Sequence, residues 1–232
     1  MLALCLLLAL LPASAGALAL RGYDAKEGYQ YVALGTWPQG ENGEEAPLVW
    51  RVLSAGEDEA LLLSEYVLGS RRVHPDDNEY KAFGGAWNKT DMYDFLHGVF
   101  LPQAFTQEEQ EMLLFSEELG RVFLPSGEDL TNKAYGFGSN KSRMGKGTAH
   151  ALANGLFKYS TKYSPYWTRS QSSTKSFGAR CTKVKGNLGY IRVVVENLGW
   201  RPAFRLDVSA VAPASGEGTL DAPYLLAYRQ AP

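Results

Sequence analysis

Cysteine is nearly missing: the 232 residues hold 2, Cys5 and Cys181. Cys5 stands in an apolar N-terminal run, so a chain that loses this run keeps one thiol and no intrachain disulfide. Its stability must then come from core packing. Histidine is equally scarce, and His74, His97 and His150 share no ligand spacing with each other or with Cys181, which leaves a zinc site nothing to build on. No Gly-x-Ser-x-Gly elbow occurs. The stretch Gly138 to Thr148 fails as a phosphate loop, because Asn140 stands where the first glycine belongs and Gly147 where a magnesium-holding Ser or Thr belongs. Asp76-Asp-Asn-Glu79 lacks calcium-loop spacing and reads as a solvated turn. No cofactor and no metal are expected, and Cys181 near a strand pattern reads as a small buried hydrophobe.

The start of the chain lacks the Lys or Arg that usually opens an export signal, yet its first 19 residues otherwise have the form of one. Met1 to Leu11 is apolar throughout, and Pro12-Ala-Ser-Ala-Gly-Ala-Leu-Ala19 supplies small residues that fit cleavage after Ala15, Ala17 or Ala19. An uncleaved anchor needs about 20 apolar residues, and Pro12, Ser14 and Gly16 interrupt the run. A lipoprotein signal needs a Cys at the cleavage boundary, and Cys5 comes too early. Residues 1–19 are therefore expected to be a signal peptide, with the mature protein secreted or held in the cell envelope and not stably inserted in a membrane.

Charge of one sign is missing from a long segment. From Asp24 to Asp129 there are 21 acidic and 7 basic residues, whereas Thr131 to Arg192 holds 12 basic residues and no acid. Either the two segments pack together and neutralise each other, or the second forms a basic surface for an anionic ligand. Nucleic acid is the usual partner of such a patch. Export argues against it and for an anionic glycan or wall polymer.

Alternation and turn residues predict strands at 29–34, 48–53, 59–64, 121–124, 166–169, 189–195 and 203–208, with 48–53 and 59–64 forming a hairpin. A helix of about three turns is expected after Asn88, from Met92, Phe95, Leu96 and Val99 at helical spacing. Thr106-Gln-Glu-Glu109 is a capping box, Ser126-Gly-Glu-Asp129 a third, shorter helix start, and Thr148–Leu156 a short helix. Residues 135–147, with four glycines, read as a loop. Strands, then helices, then strands give an α+β class: a single domain, mostly antiparallel sheet with two to four short helices, and not a doubly wound nucleotide fold.

Ordered phrases carry a resemblance. Gly35-Thr-Trp-Pro-Gln39, Pro47-Leu-Val-Trp-Arg-Val-Leu53, Ala60-Leu-Leu-Leu-Ser64, Phe123-Leu-Pro-Ser126, Tyr166-Trp-Thr-Arg-Ser170 and Gly199-Trp-Arg-Pro-Ala-Phe204 together resemble a bacterial family of exported domains of unknown function. The closing pair is also similar, more remotely, to the C-type-lectin-like fold, including the branch that holds formylglycine-generating enzymes. That resemblance implies a lectin-like domain over 20–210; the Pro-, Gly- and Ala-rich stretch 211–232 reads as a loosely ordered C-terminal tail. The oxidase branch works with a pair of cysteines, so its activity is not carried over to a mature chain with one. Thr168, Gln171 and Trp200 depart from the family phrases.

Aromatic residues crowd the acid-free segment: Tyr135, Phe137, Phe157, Tyr159, Tyr163, Tyr166 and Trp167. Sugar rings stack their apolar faces on such side chains while polar groups fix the hydroxyls. Trp167 and Arg169 fall on one face of an alternating strand. Tyr159, Lys162, Tyr163, Tyr166, Trp167 and Arg169 are the expected ligand-binding residues of a non-catalytic glycan-binding domain. Against this, Trp167, like Trp50 and Trp87, has the character of a core residue. The competing readings are a secreted hydrolase using Asp91 and Asp94, and a structural envelope module with no ligand.

Overall fold

A computed structural model describes residues 20–158 and 163–229. The expected signal peptide, and the expected ligand residues Tyr159 and Lys162, lie outside the described residues. Among those described, no helix is long and apolar enough to cross a membrane.

The chain opens with strands β1 (Tyr31–Pro38), β2 (Glu45–Ala55), β3 (Glu59–Ser64), β4 (Tyr66–Val67) and β5 (Gly69–Ser70). Short helices come next: α1 (Asp77–Ala82), α2 (Asp91–Phe95), a π-helical turn over Leu96–Phe100, α3 (Leu101–Ala104) and α4 (Gln107–Glu111). Strands β6 (Val122–Phe123) and β7 (Gly145–Gly147) precede α5 (Ala149–Ala153). The chain ends in β8 (Tyr163–Ser164), β9 (Tyr166–Gln171), β10 (Gly178–Thr182), β11 (Leu188–Arg192), β12 (Gly199–Trp200), β13 (Ala203–Asp207), β14 (Val211–Ser215) and β15 (Tyr224–Tyr228). The class is α+β, a single domain of mixed sheets with a few short helices, as the order of patterns predicted.

The largest sheet runs β14-β15-β1-β2-β3-β13-β6, a second runs β11-β10-β9-β12-β5, and β4-β7-β8 form a third. The expected hairpin is present, with Trp50 opposite Ser64 and Val52 opposite Leu62. The helix expected after Asn88 starts later, because the side chain of Thr90 and not Asn88 caps it, accepting from Tyr93 N–H. The capping box at Thr106 and Glu109 forms in full. Ser126 and Asp129 exchange the same reciprocal bonds but lead only into one 3₁₀ turn.

Two expectations are corrected. The stretch 135–147 is not simply loop, since Gly145–Gly147 forms β7 between β4 and β8. The tail is not loose through Arg229: β14 and β15 form an antiparallel hairpin, β15 lies parallel to β1, and Val211 is buried. Pro, Gly and Ala misled here because their turn propensity was read without the apolar Tyr224, Leu226 and Tyr228, which pack on the core.

One continuous core joins the layers. Trp50, Trp87 and Trp167 are all buried, and each indole N–H reaches a backbone carbonyl, of Leu34, Leu119 and Arg71 respectively. That satisfaction lets a large ring be buried without stranding a donor. Trp37, Phe95, Phe100 and Trp200 meet edge-to-face beneath the sheets.

Candidate functional site

The acid-free segment divides by residue type. Its arginines are held by partners: Arg169 pairs with Asp129, Arg180 with Glu128 and, at an exposed position, Arg192 with Asp77, while Arg143 donates to the carbonyls of Gly186, Leu130 and Phe137. Each of those acids belongs to the acidic stretch. Its lysines stay in water: Lys133, Lys141, Lys146, Lys158, Lys175 and Lys185 are exposed and form no ion pair among the described residues. A planar guanidinium is weakly hydrated and suits buried fork-like pairing, whereas an ammonium is strongly hydrated. Neutralisation and a basic surface are thus both present, carried by different side chains.

Two of these lysines rim a cleft of about 350 Å³ lined by Tyr23, Tyr29, Arg51, Glu65, Gly136, Lys141, Ser142, Met144, Lys146 and Tyr163. Tyr29 comes from the segment leading into β1, Arg51 from β2, Glu65 from the turn between β3 and β4, and Lys146 and Tyr163 from the paired strands β7 and β8. The rings of Tyr23 and Tyr29 lie 4.9 Å apart, and the Arg51 guanidinium sits 4.6 Å over Tyr29. The Tyr29 hydroxyl donates to the Tyr135 carbonyl at 2.9 Å. Gly136, at φ 82°, permits this approach, because a Cβ there would strike the tyrosine's hydroxyl.

Below the cleft is a charged cluster without balance. Arg51 donates from Nε to Glu65 Oε2 at 2.7 Å, with Nη2 on the same oxygen. Arg201, fully buried, donates from Nε to the Ser64 carbonyl at 2.7 Å and from Nη1 to the Tyr166 hydroxyl at 3.3 Å, and its Nη2 has no partner among the described residues. The Tyr166 hydroxyl in turn donates to the Arg143 carbonyl at 2.7 Å. Burial and then the neighbouring Arg51 charge hold the Arg201 guanidinium below its ordinary range. Burial also works against charge on Arg51, but Glu65 and the tyrosines outweigh it, and its net shift is upward. Burial pushes the hydroxyls of Tyr29 and Tyr31 up, so both remain protonated donors at neutral pH.

Of the expected ligand residues, Tyr163 lines this cleft, half-buried. Tyr166 and Trp167 do not fit the stacking role, since both are 0% exposed and a ring with no free face cannot receive a sugar. Tyr166 instead supports the cleft from behind through Arg201. Arg169 is held between Asp129 and the Leu124 carbonyl, with its guanidinium over Phe123, which fixes a loop away from the cleft. Sequence reasoning missed Lys141 and Lys146 in the acid-free segment, Tyr29, Arg51 and Glu65 in the acidic stretch, and Tyr23 just before it. The signal available for Arg51 was its place between Trp50 and Val52, a charged residue inside an apolar run.

The hydrolase reading gains nothing from its carboxylates. Asp91 pairs with Arg71 at 2.8 Å, Asp94 is exposed, and neither lines a described cavity. Cys181 lies in the core on β10, where burial pushes its thiol up to about 11 against the pull of Lys183. Such a thiol is a poor nucleophile. No cluster of three or more His, Cys, Asp and Glu side chains suited to a metal occurs among the described residues.

Compared with known proteins, residues 57–208 match a family model described as a domain of unknown function, DUF6273. No curated protein and no solved structure matches the chain.

Proposed function

We propose, for a chain that belongs to the DUF6273 family of domains of unknown function, that it is a non-catalytic binding domain for an anionic glycan or anionic cell-wall polymer. The cleft between Tyr23, Tyr29 and Tyr163 is the binding site. The observation that carries this reading is the combination of tyrosine rings with three cations, Arg51, Lys141 and Lys146, facing one carboxylate, Glu65. Aromatic rings offer apolar faces to a sugar, tyrosine hydroxyls meet its polar edge, and the surplus of positive charge selects an acidic one. The volume falls at the lower end of the roughly 300–1,000 Å³ typical of small-ligand sites, which suits a terminal or single sugar unit.

Secretion, or retention in the cell envelope, accompanies this reading and is supported by the composition of residues 1–19. So does the C-type-lectin-like fold, which stands on the ordered closing phrases around Trp167 and Arg201. A purely structural envelope module needs no such cleft.

The test is retention of the domain on immobilised acidic polysaccharides, carboxylated and phosphorylated, against neutral dextran. Retention should weaken as salt rises from about 0.05 to 0.5 M, as exposed charges are screened. Tyr163→Ala and the pair Lys141→Ala with Lys146→Ala should elute earlier. Equal retention on dextran, or variants that elute with the parent, would remove the cleft from consideration.

A further inference from the structure

The charge arrangement around the cleft distinguishes between kinds of anion. The guanidinium of Arg51 commits its Nε and Nη2 to Glu65 Oε2, which occupies the side-on fork that a planar ligand carboxylate would use for a two-point pair. Its Nη1 stays outside that pair. The remaining cations at the cleft are the ammonium groups of Lys141 and Lys146, compact point charges on flexible stems. Such groups suit a compact anion with several oxygens, not a flat one.

The amount of charge points the same way. Arg51, Lys141 and Lys146 line the cleft and the fully buried Arg201 stands behind it, with Glu65 the one acid among them. The unpartnered Nη2 of Arg201 marks positive charge that the described residues do not compensate. That surplus costs most at Arg201, which is shielded from water, so a ligand bringing two negative charges to the cleft in front of it gains more than one bringing a single charge.

We infer that the cleft takes the sugar through a phosphoryl group, as a terminal phosphomonoester dianion seated among Arg51, Lys141 and Lys146, with a tyrosine ring against the sugar. This rests on the anionic-glycan reading and adds the identity of the charged group.

The experiment is isothermal titration of the domain at low salt with glucose 1-phosphate, glucuronate, inorganic phosphate and glucose. Glucose 1-phosphate should bind about tenfold or more tightly than glucuronate, which bears one charge. Its affinity should fall as pH drops from about 7.5 to 5.5, because the second phosphate proton binds near 6. Lys141→Ala with Lys146→Ala, both at exposed positions, should erase the preference. Glucuronate binding as tightly as the sugar phosphate overturns the phosphoryl assignment and leaves the anionic-glycan reading standing. Inorganic phosphate binding as tightly as glucose 1-phosphate keeps the phosphoryl assignment but removes the sugar. Failure of every anion to bind overturns both.

Discussion

At the scale of single residues, His97 shows how a half-buried ring can make stability depend on pH. Its Nδ1 donates to the Tyr93 carbonyl at 2.8 Å and its Nε2 accepts the Arg121 backbone N–H at 3.2 Å, an arrangement that needs the neutral ring. Burial lowers its pKa from the ordinary 6.5, outweighing the Tyr93 carbonyl and Asp94, which both favour the charged ring. The unfolded chain therefore takes up this proton more readily than the folded one. The contribution is fully present above about 6.5 and is lost as pH falls from there through the lower folded value. Urea denaturation at a series of pH values should show the parent losing stability between neutrality and pH 5 more steeply than His97→Asn. Parallel curves would mean that His97 is not the group responsible. Gly120 belongs to the same device, since any Cβ at that position would run into the His97 ring.

At the scale of elements, helix α4 is held by polar bonds at its start more than by burial, for none of its residues is buried. Glu109 serves two partners: Oε2 accepts the Thr106 N–H at 2.8 Å, and Oε1 accepts the Gly35 N–H on β1 at 3.0 Å. Thr106→Ala should cost about 1 kcal/mol in chemical denaturation, the usual value of a lost cap. Glu109→Ala should cost more, because it also releases a strand. Such local signals are what a sequence displays well, and they explain why the hairpin of β2 and β3, the Thr106 cap and the α+β order were legible. Little of the cleft was legible. Of its lining only Tyr163 was among the expected ligand residues; Lys141 and Lys146 belong to the acid-free segment without any local mark that sets them apart, and Tyr23, Tyr29, Arg51 and Glu65 join them only through tertiary pairing. Tyr166 and Trp167 share the local composition of Tyr163, and only the packing of β9 against its neighbours distinguishes a buried ring from a lining one.

At the scale of the molecule, the family match ends at residue 208, yet the large sheet does not. The β14–β15 hairpin covers β1, and a chain cut after Val208 would expose that strand's edge together with the apolar surface beneath Leu226 and Tyr228. Exposed apolar edges pair with other chains. The truncated protein should melt at a lower temperature and run partly as aggregate on size exclusion, and a monodisperse product of unchanged melting temperature would show the hairpin to be dispensable. The division of cations acts at this scale too: paired arginines tie the basic segment to the acidic one, and lysines keep the cleft's surroundings positive.

The parallel pairing of β1 with β15 has a mechanical consequence. The first and last strands of the large sheet lie side by side, with Val32 opposite Tyr224 and Ala33 opposite Leu225. A pull applied to the two ends of the chain therefore loads this ladder in shear, so that its hydrogen bonds bear tension together and do not open one after another. For a domain under load this geometry sets tensile strength at the seam between β1 and β15.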